Sequence, residues 1–245
     1  MITELEGIVV SELNYGETSK IINVLTRSEG VIGIMAKGCR NLKSPLRSST
    51  NKLTYGKFYL KYNQGKLSNL NSVDIIDNLK NIKMDIEKIS YVSYLIELST
   101  QVIKNIGPNE EVYDLLINSI LKINEGFDPF VITNILELKY LEYLGVMPVL
   151  DSCSVCGSTK SIATLSSYKG GYLCNNCLKD EKIVSEKTIK LIRMFYYVDI
   201  SKIDKLDIGE QAKIEINSFL NDYYDRYTGL YLKTKEFINN LKKIS

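Results

Sequence analysis

The chain has 245 residues, of which 44% are hydrophobic and 24% charged, a composition typical of a globular protein with a sizeable core. It contains no histidine, which removes the commonest general base and every Ser–His or Cys–His nucleophilic pair. It also lacks a Gly-x-x-x-x-Gly-Lys-Ser/Thr loop and any apolar run long enough to cross a bilayer. Five cysteines and an acidic N-terminal stretch fit an intracellular protein better than a secreted one. We therefore expect a cytoplasmic protein that is not an enzyme.

The charge is unevenly distributed along the chain. Residues 30–73 contain no Asp or Glu but eight Lys or Arg residues, so this segment carries +8 and the remainder −6. Such separation is typical of a protein with a polyanionic partner. Chance clustering on a solvated face is the alternative, and the absence of any acid over so long a run argues against it.

Three short segments at the N-terminal end, residues 5–13, 20–27 and 31–37, are rich in β-branched residues and bounded by turn residues. Two further strands are predicted at residues 55–62 and about 66–76, separated by a turn at Asn63-Gln64-Gly65. This pattern predicts a five-stranded antiparallel barrel of the oligonucleotide-binding (OB) type, with an SH3-like barrel as the alternative.

The basic segment divides into a loop and a strand. Residues 39–53 combine Ser, Asn and Pro45 with spaced cations, which predicts an exposed, flexible basic loop. The strand that follows alternates between a core row of Phe58, Leu60 and Tyr62 and an outer row of Tyr55, Lys57, Tyr59 and Lys61. Rings that stack on unpaired bases beside cations that neutralise phosphates would suit a single-stranded nucleic acid. An ordinary exposed strand would use the same residue types.

From residue 79 onward the apolar residues follow a helical period. The pattern predicts helices over residues 79–107, 112–125, 129–144, 185–198 and 209–227. Asp128 followed by Pro129, and Ser185, are the expected N-terminal caps. These segments indicate an all-α domain whose apolar stripes form its core.

Four cysteines form two matched pairs. Cys153 and Cys156 are separated by two residues, as are Cys174 and Cys177, and 17 residues lie between the pairs. This spacing predicts one tetrahedral zinc ion, and four thiolates would leave no open position, so the site would be structural. A dithiol exchanger needs only one reactive pair, and disulfides need an oxidising compartment. Cys39 lies far from both pairs, and we expect it to be incidental.

Short motifs in a fixed order extend over nearly the whole chain. They are Ile8-Val9-Val10, Tyr15-Gly16-Glu17, Leu25-Thr26-Arg27, Ala36-Lys37-Gly38, Tyr94-Leu95-Ile96-Glu97, Leu144-Gly145, Leu150-Asp151 with the first cysteine pair, Gly170-Gly171-Tyr172-Leu173-Cys174, and Leu232-Lys233-Thr234 with Phe237. Their order and spacing resemble the RecO family of bacterial DNA repair proteins, although only the cysteine set is specific by itself.

The resemblance implies an N-terminal OB-fold over residues 1–78 and a helical domain over 79–245, with a zinc module inserted at about 148–182. It implies a recombination mediator that binds single- and double-stranded DNA and anneals complementary strands. Its implied partners are RecR, the single-stranded DNA-binding protein and, indirectly, RecA, at the nucleoid and with no membrane.

The resemblance assigns DNA binding to Lys37, Arg40, Lys43 and Arg47, and the strand alternation adds Lys57, Tyr59 and Lys61. One departure is that the C-terminal half is not strongly basic. The cations there that face few acids in the sequence, and could form a second contact, are Arg226, Lys233, Lys235, Lys242 and Lys243.

Three other functions remain open from the residues. An RNA-binding or ribosome-associated zinc-containing OB module would use the same charges and rings. A nuclease would need clustered carboxylates for metal ions, which residues 30–73 lack. A pure scaffold would bind RecR-like partners without DNA.

Overall fold

A computed structural model describes residues 2–235 and 238, and its first five strands close into a barrel. The strands are β1 (Thr3–Tyr15), β2 (Ser19–Thr26), β3 (Gly30–Ala36), β4 (Tyr55–Lys61) and β5 (Ser68–Asp77). Their order around the barrel is β1-β2-β3-β5-β4, and every pairing is antiparallel except that of β3 with β5. This arrangement confirms the predicted OB-type barrel.

Closure of the barrel depends on β1, which pairs with two different strands. Residues 3–8 pair with β4 and residues 7–15 pair with β2, and a bulge between Val9 and Ser11 bends the strand where one pairing gives way to the other. Gly7 faces Gly56 across the β1–β4 pair. A Cβ on Gly56 would lie 2.5 Å from the Asp74 carbonyl oxygen, so only glycine fits.

The barrel interior is filled by apolar side chains that alternate along the strands, as predicted for Phe58 and Leu60. Tyr62 is only partly buried, and it packs against the same cluster. The buried members are Leu5, Val9, Ile22, Val24, Ile34, Ala36, Cys39, Phe58, Leu60 and Leu70. Cys39, expected to be incidental, is therefore a core residue with 1% of its surface exposed.

The loop between β3 and β4 consists of consecutive turns. They are closed by backbone N–H groups of Asn41, Ser44 and Arg47, which donate to carbonyls three residues earlier at 3.2, 3.0 and 3.2 Å. Cys39 is buried in the barrel, and Leu46 packs against the same core. Two apolar side chains thus anchor the loop, while its flexibility stays a prediction.

In the part of the chain that the structure describes, α-helices follow the barrel. They are α1 (Lys80–Lys83), α2 (Ile86–Ile106), α3 (Glu110–Glu125), α4 (Pro129–Tyr143), α5 (Glu186–Tyr197) and α6 (Glu210–Tyr227). The predicted caps are present: Asp128 accepts from the Phe130 N–H at 2.9 Å, and Ser185 accepts from the Thr188 N–H at 3.1 Å. The single helix predicted over residues 79–107 is interrupted instead, with Asp85, a residue type preferred at helix N-caps, at the break.

The chain forms two compact units, Met1–Ile86 with Ile96–Asp114, and Glu87–Leu95 with Leu115–Ser245. In the second unit α4 is almost fully buried and contacts α5 and α6. A two-stranded sheet of β6 (Ile162–Ser166) and β7 (Gly171–Cys174), which the sequence did not predict, lies in the cysteine segment. No helix among the described residues is both long and apolar enough to cross a membrane.

Replacing Gly56 with alanine should destabilise the barrel. The new Cβ would lie 2.5 Å from the Asp74 carbonyl oxygen, and backbone cannot yield as a side chain can, so we expect a loss of about 1–3 kcal/mol in the free energy of unfolding. Chemical denaturation would measure the loss. The control is Gly33→Ala, whose Cβ would meet side-chain atoms and no backbone, the Leu67 Cδ1 at 3.1 Å and the Asn23 Oδ1 at 3.7 Å. Equal losses in the two variants would contradict the account of closure.

Candidate metal centre and nucleic-acid interface

The four paired cysteines come together in the second unit. Their Sγ atoms all lie within 4.8 Å of one another, and those of Cys156 and Cys174 are 3.6 Å apart. Four sulfurs about 2.3 Å from a tetrahedral ion would be about 3.8 Å apart, so the cluster could hold a metal ion.

Backbone turns place each pair of thiols. The Gly157 N–H donates to the Cys153 carbonyl at 2.9 Å, and the Cys177 N–H donates to the Cys174 carbonyl at 3.0 Å. Burial opposes ionisation of Cys153, but backbone N–H groups of Cys174, Cys156 and Val155 outweigh it and lower the pKa of its thiol to about 6. A thiolate stabilised by backbone N–H groups is suited to ligate a cation.

The thiols also change one another's pKa. A hydrogen bond with Cys156, followed by partial burial, raises the pKa of the Cys177 thiol to about 12. Opposite shifts in neighbouring thiols are expected when close sulfurs share protons, and a divalent cation would replace those protons.

Two apolar residues of the cysteine segment, Leu173 and Ile162, pack with the thiols in one cluster. The segment is joined to the chain before it at Gly171, whose φ is +150° and where a Cβ would lie 2.2 Å from the Val149 carbonyl oxygen. That carbonyl accepts from the Tyr172 N–H at 2.9 Å, so the close approach is part of a backbone pairing.

We expect Gly171→Ala to loosen the cysteine segment. The clash with Val149 and the strained φ should cost about 1–3 kcal/mol, which raises the population of opened forms by at least about fivefold. The rate at which a disulfide reagent modifies the thiols would report this opening. Gly209→Ala is the control, because its Cβ would have only the Lys187 Nζ near it, at 3.9 Å. An unchanged rate in the Gly171 variant would refute the role of this contact.

Five cations of the loop between β3 and β4 are exposed, Lys52 and the four predicted to bind DNA, which are Lys37, Arg40, Lys43 and Arg47. Within the part of the chain that the structure describes, none of the four is in an ion pair. The Arg40 N–H donates to the Thr18 carbonyl at 2.8 Å, and its guanidinium donates to the Gly16 carbonyl at 3.2 Å. The loop is thus fastened to the β1–β2 turn, which brings the cations beside that turn.

The outer row of β4 is less basic than its sequence indicates. Lys57 forms an ion pair with Glu4 of β1 at 2.8 Å. Partial desolvation, followed by hydrogen bonds with Glu4 and Asp74, raises the pKa of the Tyr59 hydroxyl. Neighbouring strands therefore supply the acids that residues 30–73 lack, and only Lys61 of the predicted β4 cations is exposed without an ion pair among the described residues.

Tyr55, placed by the sequence in the same outer row, is not available to a ligand. Its side chain is buried, with 7% of its surface exposed, and its hydroxyl donates to Glu6 at 2.8 Å. Tyr113, which belongs to the same compact unit, also approaches Glu6, at 3.5 Å. The prediction of an exposed ring at Tyr55 was wrong, because this side chain is buried and its hydroxyl binds Glu6.

A second surface, on the outer face of β1, β2 and β3, was missed by the sequence reasoning. Leu13 is opposite Ile21, and Ile21 is opposite Met35, so the three form one row across the strands. Leu13 is exposed, and the other two are half-buried. Tyr15 follows Leu13 on the same face, beside the turn that Arg40 contacts. The alternation of Leu13 and Tyr15 was the available signal, but the row exists only once the register is known.

A groove of about 550 Å³ lies where β3 leaves its pairing with β5. The β4–β5 turn lines it with Asn63, Gln64 and Lys66, and Gly33 contributes bare backbone. In OB-folds the face of strands 2 and 3 and the loops beside it bind oligonucleotides, and the groove adjoins that face.

The C-terminal cations differ in their surroundings. Lys235 lies 3.6 Å from the buried Glu137, and the Arg226 guanidinium stacks over Tyr168 at 5.5 Å. Lys233 is exposed, while Lys242, Lys243 and the motif residue Phe237 lie outside the described residues. A second DNA contact in this region stays a prediction.

Two family models match the chain in succession. The model of the N-terminal part of recombination protein O matches residues 1–79, and the model of its C-terminal part matches residues 83–236. The chain belongs to the RecO family of DNA repair proteins. RecO from Bacillus pumilus is 35% identical over 100% of this chain and 96% of its own length. The RecO proteins of Halalkalibacterium halodurans and Bacillus subtilis are each 33% identical, over all of this chain and 97% and 96% of theirs.

Proposed function

We propose that this RecO-family chain binds single- and double-stranded DNA and anneals complementary strands. With RecR it would help to load RecA onto single-stranded DNA coated by the single-stranded DNA-binding protein, in the bacterial cytoplasm at the nucleoid. The observation that carries DNA binding is the set of exposed cations on the β3–β4 loop, joined by Lys61 on β4, that have no ion pair among the described residues.

Annealing requires no bond chemistry from the protein. Two phosphate backbones must be neutralised so that the strands approach, while the base edges stay free to pair. Lys37, Arg40, Lys43 and Arg47 supply charge without reading sequence. The Leu13–Ile21–Met35 row and the Tyr15 ring offer apolar contact to base faces, which leaves the base edges accessible. Lys57 and Tyr59 contribute less, because Glu4 competes with phosphate for both.

We also propose that the four cysteines hold one structural zinc ion. Cys153, Cys156, Cys174 and Cys177 would be its ligands, and four thiolates saturate a tetrahedral site. When bound, the ion would cross-link the two cysteine turns rather than take part in catalysis, because four thiolates leave it no open position. The domain division we propose is 1–78 for the OB-fold and 79–245 for the helical domain, with the zinc module at about 148–182.

Joint replacement of Lys37, Arg40 and Lys43 by glutamine should weaken binding of all single-stranded sequences alike. Five cations in contact with phosphates give a slope of log K against log salt of about −3.5, and loss of three leaves about −1.4. The same loss predicts about a 100-fold weaker affinity at 0.1 M salt. Fluorescence anisotropy of labelled oligonucleotides over a salt series would measure both quantities.

The matched control removes three exposed cations elsewhere, at Lys160, Lys187 and Lys205, so the net charge change is identical. It should keep the slope near that of the unchanged protein. An unaltered slope in the loop variant would move the site elsewhere. Tighter binding of RNA than of DNA of the same sequence would favour the RNA-binding alternative.

The annealing step is tested with complementary strands, with and without the single-stranded DNA-binding protein and without ATP. We expect annealing of the coated strands by the unchanged chain, and a loss in the loop variant that parallels its loss of affinity. A chain that binds DNA but leaves coated strands unpaired would refute the mediator role.

Metal analysis tests the zinc proposal. Protein purified without chelator should contain about one equivalent of zinc, the stoichiometry of a four-thiolate site. Cys174→Ser should lose it, whereas Cys39→Ala should retain it, because Cys39 belongs to the barrel core. Less than about a tenth of an equivalent in the unchanged protein would contradict a structural site of this kind.

A further inference from the structure

Leu42 is the most exposed large hydrophobic side chain among the residues that the structure describes, with 82% of its surface accessible. Single exposed apolar residues are common and need no explanation by themselves. Leu42 differs in its surroundings, because Arg40 and Lys43, both exposed, lie two residues before it and directly after it. The exposed apolar side chain of Leu42 thus lies between two cations that would bind phosphates.

The backbone presents Leu42 at the corner of a turn. The Ser44 N–H donates to the Asn41 carbonyl at 3.0 Å, which makes Leu42 and Lys43 the two central residues. The preceding turn is closed by the Asn41 N–H, which donates to the Gly38 carbonyl at 3.2 Å. The side chains of Leu42 and Lys43 are both exposed.

The turn has a stiff base. Cys39 is buried in the barrel core on one side of it, and Leu46 packs against the same core on the other. Arg40 adds two hydrogen bonds, from its N–H to Thr18 and from its guanidinium to Gly16. A side chain that must separate stacked bases needs such support, because a freely moving one would give way instead.

We propose that Leu42 is a wedge that inserts between two neighbouring bases of a bound DNA strand while Arg40 and Lys43 hold phosphates of that strand. The proposal rests on the DNA binding proposed above and adds an activity to it, the local unstacking of bases. Apolar side chains inserted between base steps are a known way to unstack them, at an energetic cost that the surrounding contacts offset.

Unstacking would serve annealing. A free single strand stacks its bases locally, and a step opened by Leu42 would be extended and held by the cations on its backbone. The edges of the opened bases would then be available to an incoming strand. The wedge contacts base faces and so carries no sequence preference of its own.

The test uses the full chain and a single-stranded oligonucleotide that contains 2-aminopurine, whose fluorescence rises when it is unstacked. The unchanged protein should raise the fluorescence at least about twofold when bound, as unstacking requires. Leu42→Ser should lose most of this rise while its affinity, measured by anisotropy on a separate labelled oligonucleotide, stays within about threefold, since the cations remain. Leu42→Met should retain the rise because it restores an apolar side chain.

The control Met84→Ser removes another highly exposed apolar side chain, 76% accessible, and should behave as the unchanged protein. Binding without a fluorescence rise, or a full rise in Leu42→Ser, would overturn the wedge and leave DNA binding intact. No anisotropy change in the unchanged protein would overturn DNA binding and the wedge together.

Discussion

The barrel depends on one strand that must pair with two neighbours. β1 can do so only because the bulge between Val9 and Ser11 bends it and because Gly7 and Gly56 let the backbones meet without side chains. If β1 were straight, β4 would have no partner on that side and the sheet would remain open, with two edges and a core exposed to water.

Closure of the barrel also determines where the cations of the β3–β4 loop lie. One end of the barrel is covered by the β3–β4 loop, whose Cys39 and Leu46 side chains turn inward to the core. The intervening polar and basic side chains have no place inside, and so the cations project outward beside the β1–β2 turn. The same anchoring that completes the core therefore gives the positive surface a defined shape, which a disordered basic tail would lack.

Local signals in the sequence were sufficient for much of this structure. The inward alternation of Phe58 and Leu60 and the caps at Asp128 and Ser185 depend on residues within a few positions of one another, and each was confirmed as a structural feature. The clustering of the two cysteine pairs was confirmed as well. The errors on the outer face of β4 arose from long-range pairing. No property of residues 30–73 shows that Glu4 will lie beside Lys57, because that contact exists only after β1 and β4 are in register. The row of Leu13, Ile21 and Met35 could not be predicted either, because it also depends on the register of the paired strands.

The parallel pairing of β3 with β5 has only two residue pairs, Ile34 with Ser68 and Met35 with Asn69. Every other strand pairing in the barrel is longer, so local opening should begin between β3 and β5. The backbone amides of this pairing should therefore exchange with solvent before those of the neighbouring pairings. The groove lined by Asn63, Gln64 and Lys66 adjoins this pairing. An opening of the β3–β5 pairing would therefore widen this groove while the longer pairings that hold the barrel core stay intact.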